Sequence, residues 1–221
     1  MRRVVIFGAG DFARTAWFYF THDTDYEVIA FTVDDSFAET KQLLGLPVIR
    51  FSELEDSCPP ADHHLFVAVG FKRLNKLRAE ICERARAKGY HLATYVSSRA
   101  IVAAEISWGQ NCFVLENNVI QPFVSIGEDV VLWSGNHIGH DVRIDDHCFV
   151  SSHVVLSGRV HVGERCFLGV NSCVAQGVTI ASDCLVGAGA VILKNTQPGQ
   201  VFAVKGTPGI SIPVGQIEGL L

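Results

Sequence analysis

The hydrophobic rhythm of the chain changes near residue 100. From there a large apolar residue returns every six positions: Val102, Trp108, Val114, Ile120, Ile126, Leu132, Ile138, Ile144, Val150, Leu156, Val162, Leu168, Val174, Ile180, Val186 and Ile192. Two positions before them stand mostly small or β-branched residues, as at Ala100, Cys112, Val124, Val142, Cys148, Val160, Cys166, Ser172 and Cys184. The next position after the aliphatic is often glycine, as at Gly109, Gly127, Gly139, Gly163, Gly169 and Gly187. A period of six fits neither the 3.6 of a helix nor the 2 of an ordinary strand. It is the pattern of a parallel β-helix, in which three short strands and three tight turns make a coil of 18 residues. The two apolar series fill its interior, and glycine is expected to relieve the turns. The register does not slip between 102 and 192, so no long loop interrupts these coils.

Upstream the pattern is that of a small α/β unit. Val4 to Phe7 reads as a buried strand ending in Gly8-Ala9-Gly10. A helix follows over residues 11–20 with Asp11 as its cap. Val28 to Val33 and Leu65 to Val69 read as further strands, and 73–88 as a helix. Strands alternating with helices imply a parallel sheet. The expected organisation is therefore an α/β N-terminal unit, a half-Rossmann-like parallel sheet over 1–97. A left-handed parallel β-helix follows over 98–205, and a C-terminal tail over 206–221.

Composition narrows the function. The chain has 221 residues, 48% hydrophobic and 19% charged, with a net charge of −5. Without a long basic run it lacks the footprint of a nucleic-acid partner. No apolar run reaches the ~18 residues of a membrane span, and Met1 to Gly8 reads as a strand and not as a signal peptide. A cytoplasmic protein is expected. The seven cysteines are odd in number and hold no Cys-x-x-Cys. Cys112, Cys148, Cys166 and Cys184 differ by multiples of 18, which stacks them in one inward column as small hydrophobes.

In such a solenoid the core is generic, so chemistry falls to outward residues. His137, His140, His147, His153 and His161 cluster in the middle coils. His140 stands two positions past the inward Ile138 and points out, with Asp141 after it. Gly158, Gln176 and Lys194 follow at steps of 18. A neutral histidine takes the proton of an incoming amine or hydroxyl. A carboxylate fixes its tautomer, and a glycine N–H one coil away can meet a thioester oxygen as it gains charge. The periodicity alone does not prefer His140 over His137 or His153.

The coils resemble the hexapeptide acyltransferase superfamily. The whole chain is similar to sugar acyltransferases of the sialic-acid O-acetyltransferase type, including bacterial enzymes that N-acetylate nucleotide-linked 4-amino sugars for surface glycans. The resemblance is carried by Ile6-Phe7-Gly8-Ala9-Gly10, Asp34-Asp35, Ala68-Val69-Gly70, Ile138-Gly139-His140-Asp141, Ser157-Gly158 and Lys205-Gly206-Thr207-Pro208. It implies His140 as general base, Asp141 as its orienting acid, and the Gly158 amide at the acetyl carbonyl. Acetyl-CoA is implied as donor, without a metal, in a groove of a homotrimer that Val170, Gln176, Ala188 and Lys194 would reach. A sugar nucleotide is implied at Gly8, Gly10, Asp11, Phe12, Asp34, Asp35 and Gly70, with Ser134, Asn136 and His137 as pocket walls. By analogy the acceptor is an amine more than a hydroxyl. Asp11 and Phe12 replace the glycine and histidine usual in the family's turn, and an acid there disfavours a phosphate. Phe149 stands where some members carry a second, cofactor-contacting histidine.

Three other readings compete. Gly8-x-Gly10-x-x-Ala13 resembles a dinucleotide fingerprint, although the unit is only half of a doubly wound fold. The outward histidines could serve a β-helix zinc enzyme of carbonic-anhydrase type. A non-catalytic sugar-binding scaffold would lack the base, and His140 is present.

Overall fold

The structure, a computed structural model, describes residues 2–208; the expected tail lies outside them apart from its first three residues. The N-terminal unit runs β1 (Arg2–Phe7), α1 (Asp11–His22), β2 (Tyr26–Val33), β3 (Gln42–Leu43), β4 (Leu46–Arg50), α2 (Leu54–Ser57), β5 (His63–Val67), α3 (Lys76–Ala87) and β6 (His91–Leu92). Its sheet order is β3-β4-β2-β1-β5-β6. All pairings are parallel except the β3–β4 hairpin. The buried run Val4 to Phe7 makes β1 the central strand, as a near-continuous apolar run does in a sheet covered on both faces. The hairpin, α2 and β6 are too short for periodicity to register. The cap of α1 is Gly10, not Asp11. Asp11 is the first helical residue, where a carboxylate favours the positive end of the helix dipole.

The solenoid starts one hexad before Val102, at Tyr95–Val96, which pairs with Phe113–Val114. Strands of two residues then recur every six positions to Val191–Ile192. They form three parallel ladders of six, six and five strands, and Val201–Phe202 extends the first to seven among the described residues; hexad partners lie 18 residues apart, as in Phe113 and Val131. The rhythm ends after Ile192, because Val201–Phe202 pairs with Leu185–Val186 at a step of 16. Inside, the aliphatic series packs with the Val and Cys series in one continuous core.

The corners correct the expected role of glycine. The residue with left-handed backbone is the third after the inward residue: Asn or Asp at Asn111, Asn117, Asp129, Asp141, Asn171 and Asp183, glycine at Gly135, Gly177 and Gly189, and Glu105, Phe123, His147, His153, Arg159 and Arg165 at other corners. Asn and Asp tolerate that region better than other side chains. The glycine directly after the aliphatic serves another purpose. A Cβ on Gly139 would lie 2.7 Å from the Gly158 nitrogen and 2.9 Å from the Leu156 oxygen. Glycine there lets successive coils approach.

The three outer faces differ. The first carries Tyr95, Phe113, Val131, Phe149 and Phe167, which pack against Phe12, Tyr19, Phe20 and Phe66 of the N-terminal unit. The third carries Ser107, Ser125, Arg143, His161 and Thr179. The second carries Ile101, Val119, His137, Val155, Cys173 and Val191, of which Ile101 and Val191 are 67% and 60% exposed. A buried ion pair ties the two units together. Arg78 of α3 donates to Asp129 through Nε at 2.8 Å, and both side chains have no exposure. Arg78 Nη1 also donates to Asn75 Oδ1, and its Nη2 to the carbonyls of Asp129, His147 and Cys148.

Candidate active site

The corner between the second and third faces follows the strand His137–Ile138. Ile138 turns inward and is fully buried, Gly139 passes close beneath the next coil, and His140 projects outward with its side chain 45% exposed. Asp141 takes the left-handed corner position at φ 58°. From there its Oδ2 lies 2.7 Å from His140 Nδ1. A proton on Nδ1 donated to this carboxylate leaves Nε2 with a free lone pair.

Gly158 lies one coil further. A Cβ there would stand 2.7 Å from His140 Cε1 and 2.9 Å from Cδ2, and closer still to Nε2. Glycine is therefore the residue that leaves Nε2 accessible. The Gly158 N–H has no acceptor among the described residues. A basic nitrogen and an unpaired amide donor thus share one exposed corner, the two elements of acyl transfer without an enzyme-bound intermediate.

The other sequence-derived residues divide into groups. Gln176 and Lys194 continue the His140 column and are exposed. Val170 and Ala188 are exposed too, but they lie 18 and 36 residues past Ser152 at the corner between the first and second faces, in the column of Ser134. One chain does not bring them to His140. Ser134 donates to Glu116 at 2.9 Å, which also accepts from the Tyr19 hydroxyl at 2.7 Å. Burial alone would raise the Glu116 carboxyl, but these hydrogen bonds hold it below its usual value. His137 is half-buried on the second face. Asn136 is not a pocket wall. It sits two positions before Ile138, which is an inward place, and it is buried. Its Nδ2 donates to the Trp133 carbonyl at 2.5 Å and its Oδ1 accepts the Val154 N–H at 2.8 Å.

In the N-terminal unit Gly8 has φ +126°, and a Cβ would lie 2.8 Å from the Ala68 carbonyl, so the turn after β1 requires glycine. Gly10 and Gly70 have open space at that point. Asp11 is exposed. Phe12 is not free to line an open turn: its ring packs on Phe113 at 5.3 Å and Trp133 at 6.0 Å. Asp34 and Asp35 line a cavity of about 670 Å³ with Ser36, Phe51, Ser52, Arg84, Ala87 and Lys88. Both acids are engaged, Asp34 by Arg84 and Asp35 by the Ser52 hydroxyl at 2.8 Å. Sequence reasoning missed Arg84 and Ser52, because no local pattern tells that they face the acidic pair.

Two other histidines of the middle coils meet different acids. His147 Nδ1 lies 2.9 Å from Asp129, and His161 Nε2 2.8 Å from Asp145. Among the described residues no three His, Cys, Asp or Glu side chains converge as a metal would need. No helix among them is long and apolar enough to cross a membrane.

The chain is similar to known proteins along nearly its whole length. Residues 3–85 match the PglD N-terminal domain. Residues 123–158 match the bacterial transferase hexapeptide (six repeats), and 159–194 the hexapeptide repeat of succinyl-transferase. The acetyltransferase domain of PglB from Neisseria gonorrhoeae is 28% identical, over 91% of this chain and 96% of that one, with a TM-score of 0.82. The chain thus carries hexapeptide repeats and is similar to acetyltransferases over nearly its whole length. A second structure of that domain, in complex with acetyl coenzyme A, is 27% identical over 90% and 95% of the two chains, with a TM-score of 0.81. GDP-perosamine N-acetyl transferase from Caulobacter crescentus, a variant with one histidine replaced by alanine in complex with CoA and GDP-perosamine, is 29% identical. That match covers 91% of this chain and 93% of the other, with a TM-score of 0.81. No match was found among curated proteins. The solenoid is thus the left-handed β-helix of hexapeptide acetyltransferases, and the zinc and scaffold readings have no counterpart in these similarities.

Proposed function

We propose that the protein moves an acetyl group from acetyl-CoA to the amine of a nucleotide-linked amino sugar, with His140 as general base. The observation that carries this is the His140 corner: Nδ1 bound to Asp141, Nε2 open, and the Gly158 amide beside it. Nε2 takes a proton from the sugar amine as its nitrogen attacks the thioester carbon. The carbonyl oxygen gains charge and is met by the Gly158 N–H. The carbon–sulfur bond then breaks, and the imidazolium returns its proton to the departing CoA sulfur. Asp141 holds the ring and stabilises its charged form. The amine acceptor and the donor rest on the similar enzymes, two of which bind acetyl coenzyme A, or CoA with GDP-perosamine.

The site is completed between copies in this reading. The Gly8 turn is carried by the unit docked on the first face, through Phe12 and Phe66. His140 stands at the corner between the other two faces. The second face presents an apolar column, Ile101, Val155 and Val191, open to solvent in the single chain. A cyclic homotrimer would cover it and bring the His140 column of one copy toward the Val170–Ala188 column of another. The decisive experiment incubates the protein with acetyl-CoA and a panel of UDP-, dTDP- and GDP-linked amino sugars, following CoA release. His140→Ala is expected to lower kcat by roughly 10²–10⁴-fold, the usual contribution of a positioned base. Full turnover by that variant would remove His140 from the role.

A further inference from the structure

The His140–Asp141 dipeptide is held from below by another dipeptide, Gln121-Pro122. Gln121 Oε1 accepts the backbone N–H of His140 at 2.8 Å. The Pro122 carbonyl accepts the backbone N–H of Asp141 at 3.1 Å, and from above the Arg159 N–H donates to the His140 carbonyl at 2.8 Å. Two of these three bonds are backbone ladder contacts of a kind that recurs around the solenoid. The Gln121 bond alone comes from a side chain. Gln121 is also out of keeping with its column, whose neighbours at steps of 18 are Ala103, Gly139, Ser157 and Ala175. Its long polar chain reaches the next residue of the coil above it.

We infer that Gln121 is a positioning residue for the acyl-transfer base, which rests on the reading of His140 given above. The physical argument is one of registry. Asp141 reaches Nδ1 only because the corner puts it in the left-handed region, and the corner is set by where the His140 N–H points. An acceptor fixed 2.8 Å from that N–H holds the corner and hence the direction of Nε2 toward Gly158. His140 is half-exposed, so water can replace a lost acceptor at little cost in stability. It cannot replace the alignment, and a misplacement of about 1 Å at a reacting group costs on the order of 10²-fold in rate.

The test uses the full chain with acetyl-CoA as donor and GDP-perosamine as acceptor, and compares Gln121→Met, Gln121→Glu and His140→Ala. Methionine keeps the length without the oxygen; glutamate keeps the oxygen and adds a charge. The expected result is a fall in kcat of tenfold or more for Gln121→Met. The KM for acetyl-CoA should stay within twofold and Tm should not move. Gln121→Glu should recover kcat, with the acid limb of the kcat/KM profile moved to higher pH because a carboxylate favours the imidazolium. Independently of any acceptor, the imidazole nitrogen resonances of His140 should report one ring state in the parent and in Gln121→Glu, and averaged states in Gln121→Met. Wild-type kcat in Gln121→Met with an inactive His140→Ala would overturn the inference and leave the base intact. Equal losses of kcat and Tm, without recovery in Gln121→Glu, would also overturn it by showing a merely structural role. An unimpaired His140→Ala would overturn the base and the inference together.

Discussion

Gly158 and His140 share one volume of space. The side chain that Gly158 lacks would occupy the position of the imidazole edge, so the smallest substitution is informative. Gly158→Ala is expected to lower kcat by about 100-fold by displacing Nε2 while leaving the solenoid folded, since only a flexible exposed ring must move. Steady-state kinetics beside circular dichroism checks both halves. The inward cysteines behave oppositely, as packing groups. Burial pushes the Cys112 thiol up to about 12, and its S–H donates to the Gly127 carbonyl at 3.1 Å. Cys148 repeats this toward Gly163 at the same distance. A thiol in this column both fills the core and supplies a weak donor to a turn carbonyl that valine would leave unpaired.

At the scale of elements, the three ladders have one geometry and three surroundings. Large aromatics on the first face receive the N-terminal unit, polar residues on the third meet water, and Val, Ile and Cys on the second remain uncovered in the single chain. A row of exposed apolar side chains along a flat parallel ladder is the kind of patch that marks an interaction surface. The double variant Val155→Asp with Val191→Asp is expected to give a folded monomer by sedimentation. Cys173, half-exposed on the same face, should react with a maleimide in that monomer and be protected in the parent assembly. A parent protein that sediments as a monomer would refute the shared-groove site.

At the scale of the molecule, stability depends on the join between the two units. Arg78 and Asp129 are fully buried and hydrogen-bonded to each other and to neighbouring polar groups. Replacing one partner leaves the other charge uncompensated, so Arg78→Ala is expected to destabilise by about 3–5 kcal/mol in urea unfolding. Burial alone would raise the Asp129 carboxyl, but Arg78 and the hydrogen bonds of His147 and Asn111 outweigh it and hold it below the usual carboxylate range. A depressed folded value contributes stability that is complete above the unfolded pKa near ~3.9 and is lost as pH falls through the lower folded value. Acid titration of the parent should show this loss below about pH 4, and Asp129→Asn should show less of it.

Much of this was legible in the chain. The period of six determines the β-helix, its inward residues and the outward direction of His140, because every turn is local and every coil repeats the same contacts. The run Val4 to Gly8 determines a buried strand entering a glycine turn for the same local reason. The same register marks Asn136 as inward. What the tertiary structure decided depends on contacts across long separations. The Gly158 space above His140, the Gln121 oxygen at its amide, the Arg84 partner of Asp34 and the Arg78–Asp129 pair join residues 18 to 51 positions apart. The choice of face for the N-terminal unit rests likewise on distant packing, of Phe12 and Phe66 on Phe113, which no periodicity announces. A repeat specifies its own geometry because each hexad meets its like; the site is specified where unlike segments meet.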